Sequence, residues 1–233
     1  MIKTKGIFII KFEKQDEKFV GNLNWKKLKE GYNKAKKFFE YEGEITPIRI
    51  CLLYSPEEYL FFSGYPQYEN WMSACTGYHN TIYIFAPSVI EKYTIHKKSD
   101  ILKTLVHEIT HFFYGYSSIK KNLTRLPLWE EGISNYLADK KITSEINFEI
   151  STLRNFKDKN SSNYIVGYIL IDHIMKYFKE NGNKKILEFL TKVEQSDSEE
   201  ALFKKFEEIF GMNVDVLMGL KGGEKNESFR KTS

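Results

Sequence analysis

The segment DILKTLVHEITHFFYG, residues 100–115, decides the fold because it predicts a helix with two different sides. Its apolar residues fall on one broad arc of the helical wheel, and His107 and His111 fall on the opposite arc. Residues four apart stand one turn apart on the same face of a helix, so both imidazoles can reach one metal ion. Glu108 projects toward the same side, about a quarter turn round, where it can act on water without ligating the metal. The segment therefore predicts a core helix that carries a metal site.

A third metal ligand can come from the segment LPLWEEGISNYLADK, residues 126–140, which begins another predicted helix. A catalytic zinc ion takes three protein ligands and keeps a fourth position open. The carboxylate of either Glu130 or Glu131 could complete the set. In the competing interpretation, the histidines and the glutamates are ordinary surface residues, and a negative charge is favourable at a helix N-terminus in any case.

The pair of segments resembles the gluzincin class of zinc peptidases, especially its compact peptidase MA-like members. The resemblance rests on the run HEITH, residues 107–111, followed by WEEGISNY, residues 129–136. It implies Zn²⁺ as cofactor, a zincin-like fold and Glu108 as the general base. In these families the glutamate directly before the glycine is the third zinc ligand, which corresponds to Glu131. The commonest aminopeptidase spacing would instead select Glu130.

A later segment, NYIVGYILIDHIMKYF, resembles the Tyr-x-x-Gly helix that carries a transition-state tyrosine in gluzincin aminopeptidases. The resemblance implies that Tyr164 stabilises the oxyanion, with Gly167 as the matching glycine. Because the chain has 15 tyrosines, an aromatic core role for Tyr164 is the alternative, and Tyr168 is the second candidate for the catalytic role. On the same helix His173 could be a ligand or an oxyanion donor, although a partly buried structural histidine is favoured.

Two further polar positions have weaker support. Asn135, one turn after Glu131, could orient a histidine ring from outside the ligand set, although ordinary helix polarity explains it nearly as well. His79 and His96 lie near turns and have no ligand spacing. Neither is expected to bind the metal.

The pattern over the whole chain predicts an α+β fold, with strands mostly in the first half and helices in the second. Strands are predicted at 7–12, 45–54 and 81–87, and helices at 24–41, 99–116, 129–140, 164–179, 184–193, 198–210 and 214–220. Ser55 and Pro56 mark the start of an additional helix, and Ser99 is expected to cap the helix of the metal site. We expect one metallopeptidase-like domain over 1–220, in which an α/β half (about 1–116) and a helical half (about 117–220) flank a cleft. Residues 221–233 are expected to form a flexible tail.

Composition excludes several classes of protein. The 35 basic and 31 acidic residues nearly cancel, and lysines often stand beside glutamates, so no nucleic-acid partner is expected. The apolar run at residues 7–10 is too short for a signal peptide or a membrane span. This predicts a cytoplasmic protein without a membrane partner, or a secreted one if a leader is missing from the sequence. Cys51 and Cys75 favour two free thiols, although one bridge is possible.

The expected function is hydrolysis of peptide or protein substrates. The aminopeptidases of this class carry a Gly-x-Met-x-Asn element before the zinc helix, which TGYHNTIYIF lacks, so an endopeptidase is favoured. Strand 81–85 could line the cleft and hold a substrate by strand addition, and packing of Tyr83 on an internal strand is not expected to exclude this. The alternative function is a catalytically silent or latent zinc-binding interaction protein on a peptidase scaffold. Retention of Glu108 argues against silence, because a structural zinc site needs no base.

Overall fold

A computed structural model describes residues 1–140 and 162–218 of the chain. Within these ranges one mixed sheet has the order β1-β2-β3-β5-β4. Its strands are β1 (Ile2–Lys5), β2 (Phe8–Lys11), β3 (Ile48–Leu53), β4 (Ala74–Gly77) and β5 (Thr81–Phe85). The three central strands are parallel, and the outer strands β1 and β4 pair with them in the antiparallel sense. The fold is α+β, as the sequence predicts.

Helices make up most of the remaining described structure. They are α1 (Glu17–Asn22), α2 (Trp25–Phe38), α3 (Pro56–Ser63), α4 (Ile90–Tyr93), α5 (Ile101–Lys121), α6 (Pro127–Leu137), α7 (Ser162–Phe178), α8 (Gly182–Lys192), α9 (Glu199–Phe210) and α10 (Val214–Leu217). The predicted start of α3 is confirmed, since Ser55 accepts a hydrogen bond from the Glu58 amide and Pro56 is the first helical residue. Ser99 does not cap α5. It lies in the short turn Lys98–Asp100 before the helix, where Asp100 accepts from the Lys97 amide at 2.9 Å.

The described residues form two compact units. The first contains 1–119 and 134–140, and the second contains 120–133 and 162–218, so α6 contributes to both. In the first unit α2 packs on α5 through ring contacts such as Tyr32 with Phe113, whose centroids are 5.0 Å apart. The approach is close at Gly31, where a Cβ would come within 2.8 Å of Val106 Cγ1. The apolar face of α5 is therefore largely buried and holds this helix in the core.

The second unit is organised around Trp129, which is fully buried near the start of α6. Its indole contacts a cluster of three rings, Phe189, Phe206 and Phe210. On another side of α6, Gly132 meets Gly167 of α7 so closely that a Cβ on Gly132 would lie 2.8 Å from the Gly167 Cα. Both glycines are needed because the two helix backbones touch there.

Some predicted elements differ from the structure. Edge strands β1 and β4 were not predicted, and α5 extends five residues beyond the predicted end at residue 116, to Lys121. The strand at 81–85 is internal, because β3 and β4 pair with its two sides. It therefore cannot hold a substrate by strand addition, and β4 is the outer strand on that side of the described sheet. The predicted tail 221–233, the end of the helix at 214–220 and part of the predicted helical half lie outside the described residues.

The two cysteines are free thiols, as favoured from the sequence. Cys51 and Cys75 both stand opposite Tyr83 in the sheet, on the strands either side of it. Two strand spacings separate them by about 10 Å, beyond the roughly 7 Å limit between Cα atoms for a disulfide. The bridge considered from the sequence is therefore excluded.

Candidate metal centre

The two motif histidines of α5 face each other. Their Nε2 atoms are 3.1 Å apart, and the rings lie 4.8 Å apart at 77°. This arrangement permits a direct N–H···N hydrogen bond, or lone pairs from both rings on one cation, depending on the tautomers. His107 is only 4% exposed and Glu108 only 7%, so the second side of α5 is covered as well. His107 and Glu108 are therefore buried, whereas His111 is half-buried.

One group of metal-capable side chains in the described part of the chain contains His107, His111 and Glu131, whose ligand atoms all lie within 4.8 Å of one another. Two nitrogens bound to one tetrahedral zinc ion at the usual distances stand about 3.3 Å apart, close to the separation of the two histidines. Two imidazoles with one carboxylate form a set used by catalytic zinc sites, which keep a position open for water. The donors present therefore fit zinc.

The neighbouring carboxylate, Glu130, has a different partner. Arg125 donates from Nε to Glu130 Oε2 at 3.0 Å and from a terminal nitrogen to Oε1, so the contact is bidentate. Glu130 is 8% exposed. Such paired, charge-assisted hydrogen bonds are among the strong contacts that a carboxylate makes with a side chain. The structure thus gives the two adjacent glutamates different surroundings. Sequence reasoning missed Arg125, because nothing in the loop before α6 shows which carboxylate the arginine reaches.

Glu108 lies near enough to the sheet for its charge to act on Cys75. Burial, and secondarily the Glu108 carboxylate, raise the pKa of Cys75 on β4 to about 12. The thiol is therefore protonated at neutral pH, and β4 runs near the candidate base. Sequence reasoning missed this neighbour because ACTG, residues 74–77, lacks the alternation that identifies a strand.

The other predicted site residues are on α6 and α7. Asn135 is buried on α6, at 2% exposed, whereas Tyr164 and Tyr168 are half-buried on α7. Tyr164 is three residues before Gly167, so it lies one turn from the point where α7 touches α6. The catalytic role of Tyr164 and the orienting role of Asn135 stay predictions.

The remaining three histidines lie apart from the group of metal-capable side chains. His173 Nδ1 lies 3.2 Å from the Leu217 carbonyl, so this ring links α7 to α10. His96 Nε2 lies 2.9 Å from the Trp71 carbonyl, and burial lowers the pKa of His96. His79 is exposed in the β4–β5 turn with a φ of 55°. The group that could hold a metal contains none of the three.

No protein-family model matches the sequence, and a search of curated proteins returned no match. The resemblance to gluzincins therefore rests on the motif residues and on the donor geometry. No helix of the described ranges combines the length and the apolar character needed to cross a bilayer.

Proposed function

We propose that the protein is a zinc-dependent peptidase of the gluzincin type with a zincin-like fold. His107, His111 and Glu131 would hold one zinc ion. The observation that carries the proposal is the convergence of their ligand atoms within 4.8 Å, with Glu108 next to His107 on the same helix. A purely structural zinc site would have four protein ligands and no use for an adjacent acid.

In the proposed hydrolysis, the zinc ion and the side chains of the protein would have different roles. When bound, zinc would acidify a water molecule and polarise the scissile carbonyl. Glu108 would accept the proton of the attacking water at its carboxylate and deliver it to the nitrogen of the leaving amine. Its burial keeps bulk water away from this transfer and strengthens the local electrostatic interactions.

The edge strand β4 is the proposed substrate platform. One side of β4 pairs with β5, and no strand within residues 1–140 or 162–218 pairs with its other side, so an extended peptide could pair there. The electrostatic influence of Glu108 on the pKa of Cys75 supports this proposal, because it requires β4 and the proposed base to lie near each other. A substrate held by its backbone in this way can continue past the site in both directions, which favours an endopeptidase.

Tyr164 is the proposed oxyanion donor. The support is the contact between Gly132 and Gly167, since Gly132 follows Glu131 directly and Tyr164 precedes Gly167 by one turn. A phenol at this point of α7 can donate a hydrogen bond to the negative charge that develops on the carbonyl oxygen.

Hydrolysis of an unfolded protein tests the proposal. Zinc-loaded wild-type protein should cleave fluorescently labelled casein, and Glu108→Gln should reduce the rate by about 100-fold or more while binding zinc as well as the wild type. Glu30→Gln, at an exposed position of α2, is the matched control and should keep full activity. Equal rates for Glu108→Gln and wild type would contradict the proposed base. Zinc binding without any cleavage would instead favour the silent interaction protein.

A further inference from the structure

Two adjacent glutamates at the start of α6 could each supply the third ligand of the proposed metal site. Glu130 and Glu131 are consecutive residues, about 100° apart on the helix, and zinc accepts a carboxylate oxygen from a glutamate, so residue type alone does not decide which of the two ligates. A single ligand set therefore requires something that removes one carboxylate from the competition. A residue that does this must lie close to Glu130 and Glu131.

Arg125 is suited to that task. Its guanidinium binds both oxygens of Glu130, and the glutamate side chain is only 11% exposed against 55% for the arginine. One lone pair on each oxygen of Glu130 is thereby directed toward the guanidinium, and the side chain is oriented toward Arg125. A planar fork matches a carboxylate in a way that a lysine ammonium does not.

The backbone around Arg125 is fixed independently of the ion pair. The Thr124 amide donates to the Leu190 carbonyl at 2.7 Å, which ties the loop to the last turns of α8. Gln195 Nε2 lies 3.5 Å from the Arg125 carbonyl and adds a weaker contact. The guanidinium is consequently presented from a loop held on both sides of its Cα atom.

We propose that Arg125 is a positioning residue that withholds Glu130 from the metal and so assigns ligation to Glu131. The inference rests on the proposed zinc site but is independent of peptidase activity. This role predicts that removal of the guanidinium releases Glu130 as a substitute ligand. A merely structural role for Arg125 does not predict any recovery of zinc binding.

The test measures zinc affinity by competition with a chromophoric chelator. In the otherwise wild-type chain, Glu131→Ala should weaken zinc binding by roughly 100-fold or more, since even residues outside the ligand set cost about 10–100-fold. Combined with Arg125→Met, the same substitution should weaken binding about 10-fold less, because the released Glu130 takes the vacant place. Adding Glu130→Gln should abolish this recovery. Arg125→Lys, which keeps the charge without the fork, should give a smaller recovery than Arg125→Met.

Circular dichroism at the assay temperature identifies the variants that are folded. If Arg125→Met does not fold, the comparison uses Arg125→Lys with Glu131→Ala, which should still bind zinc more tightly than Glu131→Ala alone. No recovery in the folded double variants, although wild-type protein binds zinc, would overturn the role of Arg125 and leave the zinc site standing. Wild-type protein that binds no zinc would overturn the site and the inference together.

Discussion

Substitution of Gly132 by alanine should damage both stability and metal binding. The added Cβ would lie 2.8 Å from the Gly167 Cα and closer still to the Gly167 carbonyl oxygen. Carbon atoms in normal contact are 3.5–4.0 Å apart, so α6 and α7 would have to separate by about 1 Å. Metal ligation tolerates errors of only about 0.2 Å, and Glu131 is the preceding residue. The shift should therefore reach the metal site.

The size of the stability loss follows from two opposing contributions. Overpacking against backbone atoms costs about 1–3 kcal/mol, and backbone cannot move aside as a flexible side chain does. Alanine in place of glycine within a helix returns about 0.5–1 kcal/mol. Because the clash is with backbone, the cost lies at the upper end of this range, and the net loss of about 2 kcal/mol lowers the midpoint of thermal unfolding by about 4–8 °C in a chain of this size.

Thermal unfolding of the zinc-free proteins measures this loss, and chelator competition measures the zinc affinity. Gly115→Ala is the matched control, because a Cβ at this position of α5 meets nothing within 4 Å. It should raise the stability by about 0.5–1 kcal/mol and leave zinc binding unchanged. The reasoning is refuted if Gly132→Ala proves as stable as Gly115→Ala.

Three further outcomes are expected. In a Cys51→Ala background, Cys75 of the folded protein should react with iodoacetamide far more slowly than in urea, because the pKa of its thiol is raised to about 12. Glu108→Gln should speed the reaction of the folded protein. An unchanged rate would contradict the proximity of Glu108 to Cys75. Burial raises the pKa of Tyr32 to about 12, above its unfolded value near 10. The stabilisation that comes from this shift is therefore complete below pH 10 and is lost as pH rises toward 12. Urea unfolding measured against pH should show this loss of stability, and Tyr32→Phe should make the loss smaller. Tyr164→Phe should keep zinc affinity and lower kcat by about 100-fold, whereas unchanged cleavage would leave Tyr164 a packing residue.

The sequence predicted the parts of the fold that depend on long regular patterns. The apolar arc of α5 is continuous over several turns, so the helix and its buried face could be recognised from the sequence alone. The edge strands could not, because β1 and β4 have four residues each and their pairing depends on distant strands. The burial of His107 and Glu108 on the other side of α5 could not be predicted either, because it depends on tertiary contacts that a helical wheel does not represent.

The candidate site divides in the same way. Four-residue spacing on one helix was sufficient to bring His107 and His111 together. The different surroundings of Glu130 could not be predicted, because Arg125 reaches this carboxylate from an irregular loop. Gly132 matched a family motif, but the physical reason for the glycine, a helix crossing with α7, requires the structure.

The central claim is that one zinc ion is held by His107, His111 and Glu131. Zinc titration of the metal-free protein, with Glu131→Gln and Glu130→Gln measured beside the wild type, tests it most directly. We expect one zinc ion per chain, a loss of roughly 100-fold or more in affinity for Glu131→Gln, and a much smaller change for Glu130→Gln. A wild-type chain that binds no zinc, or a larger loss for Glu130→Gln than for Glu131→Gln, would contradict the account.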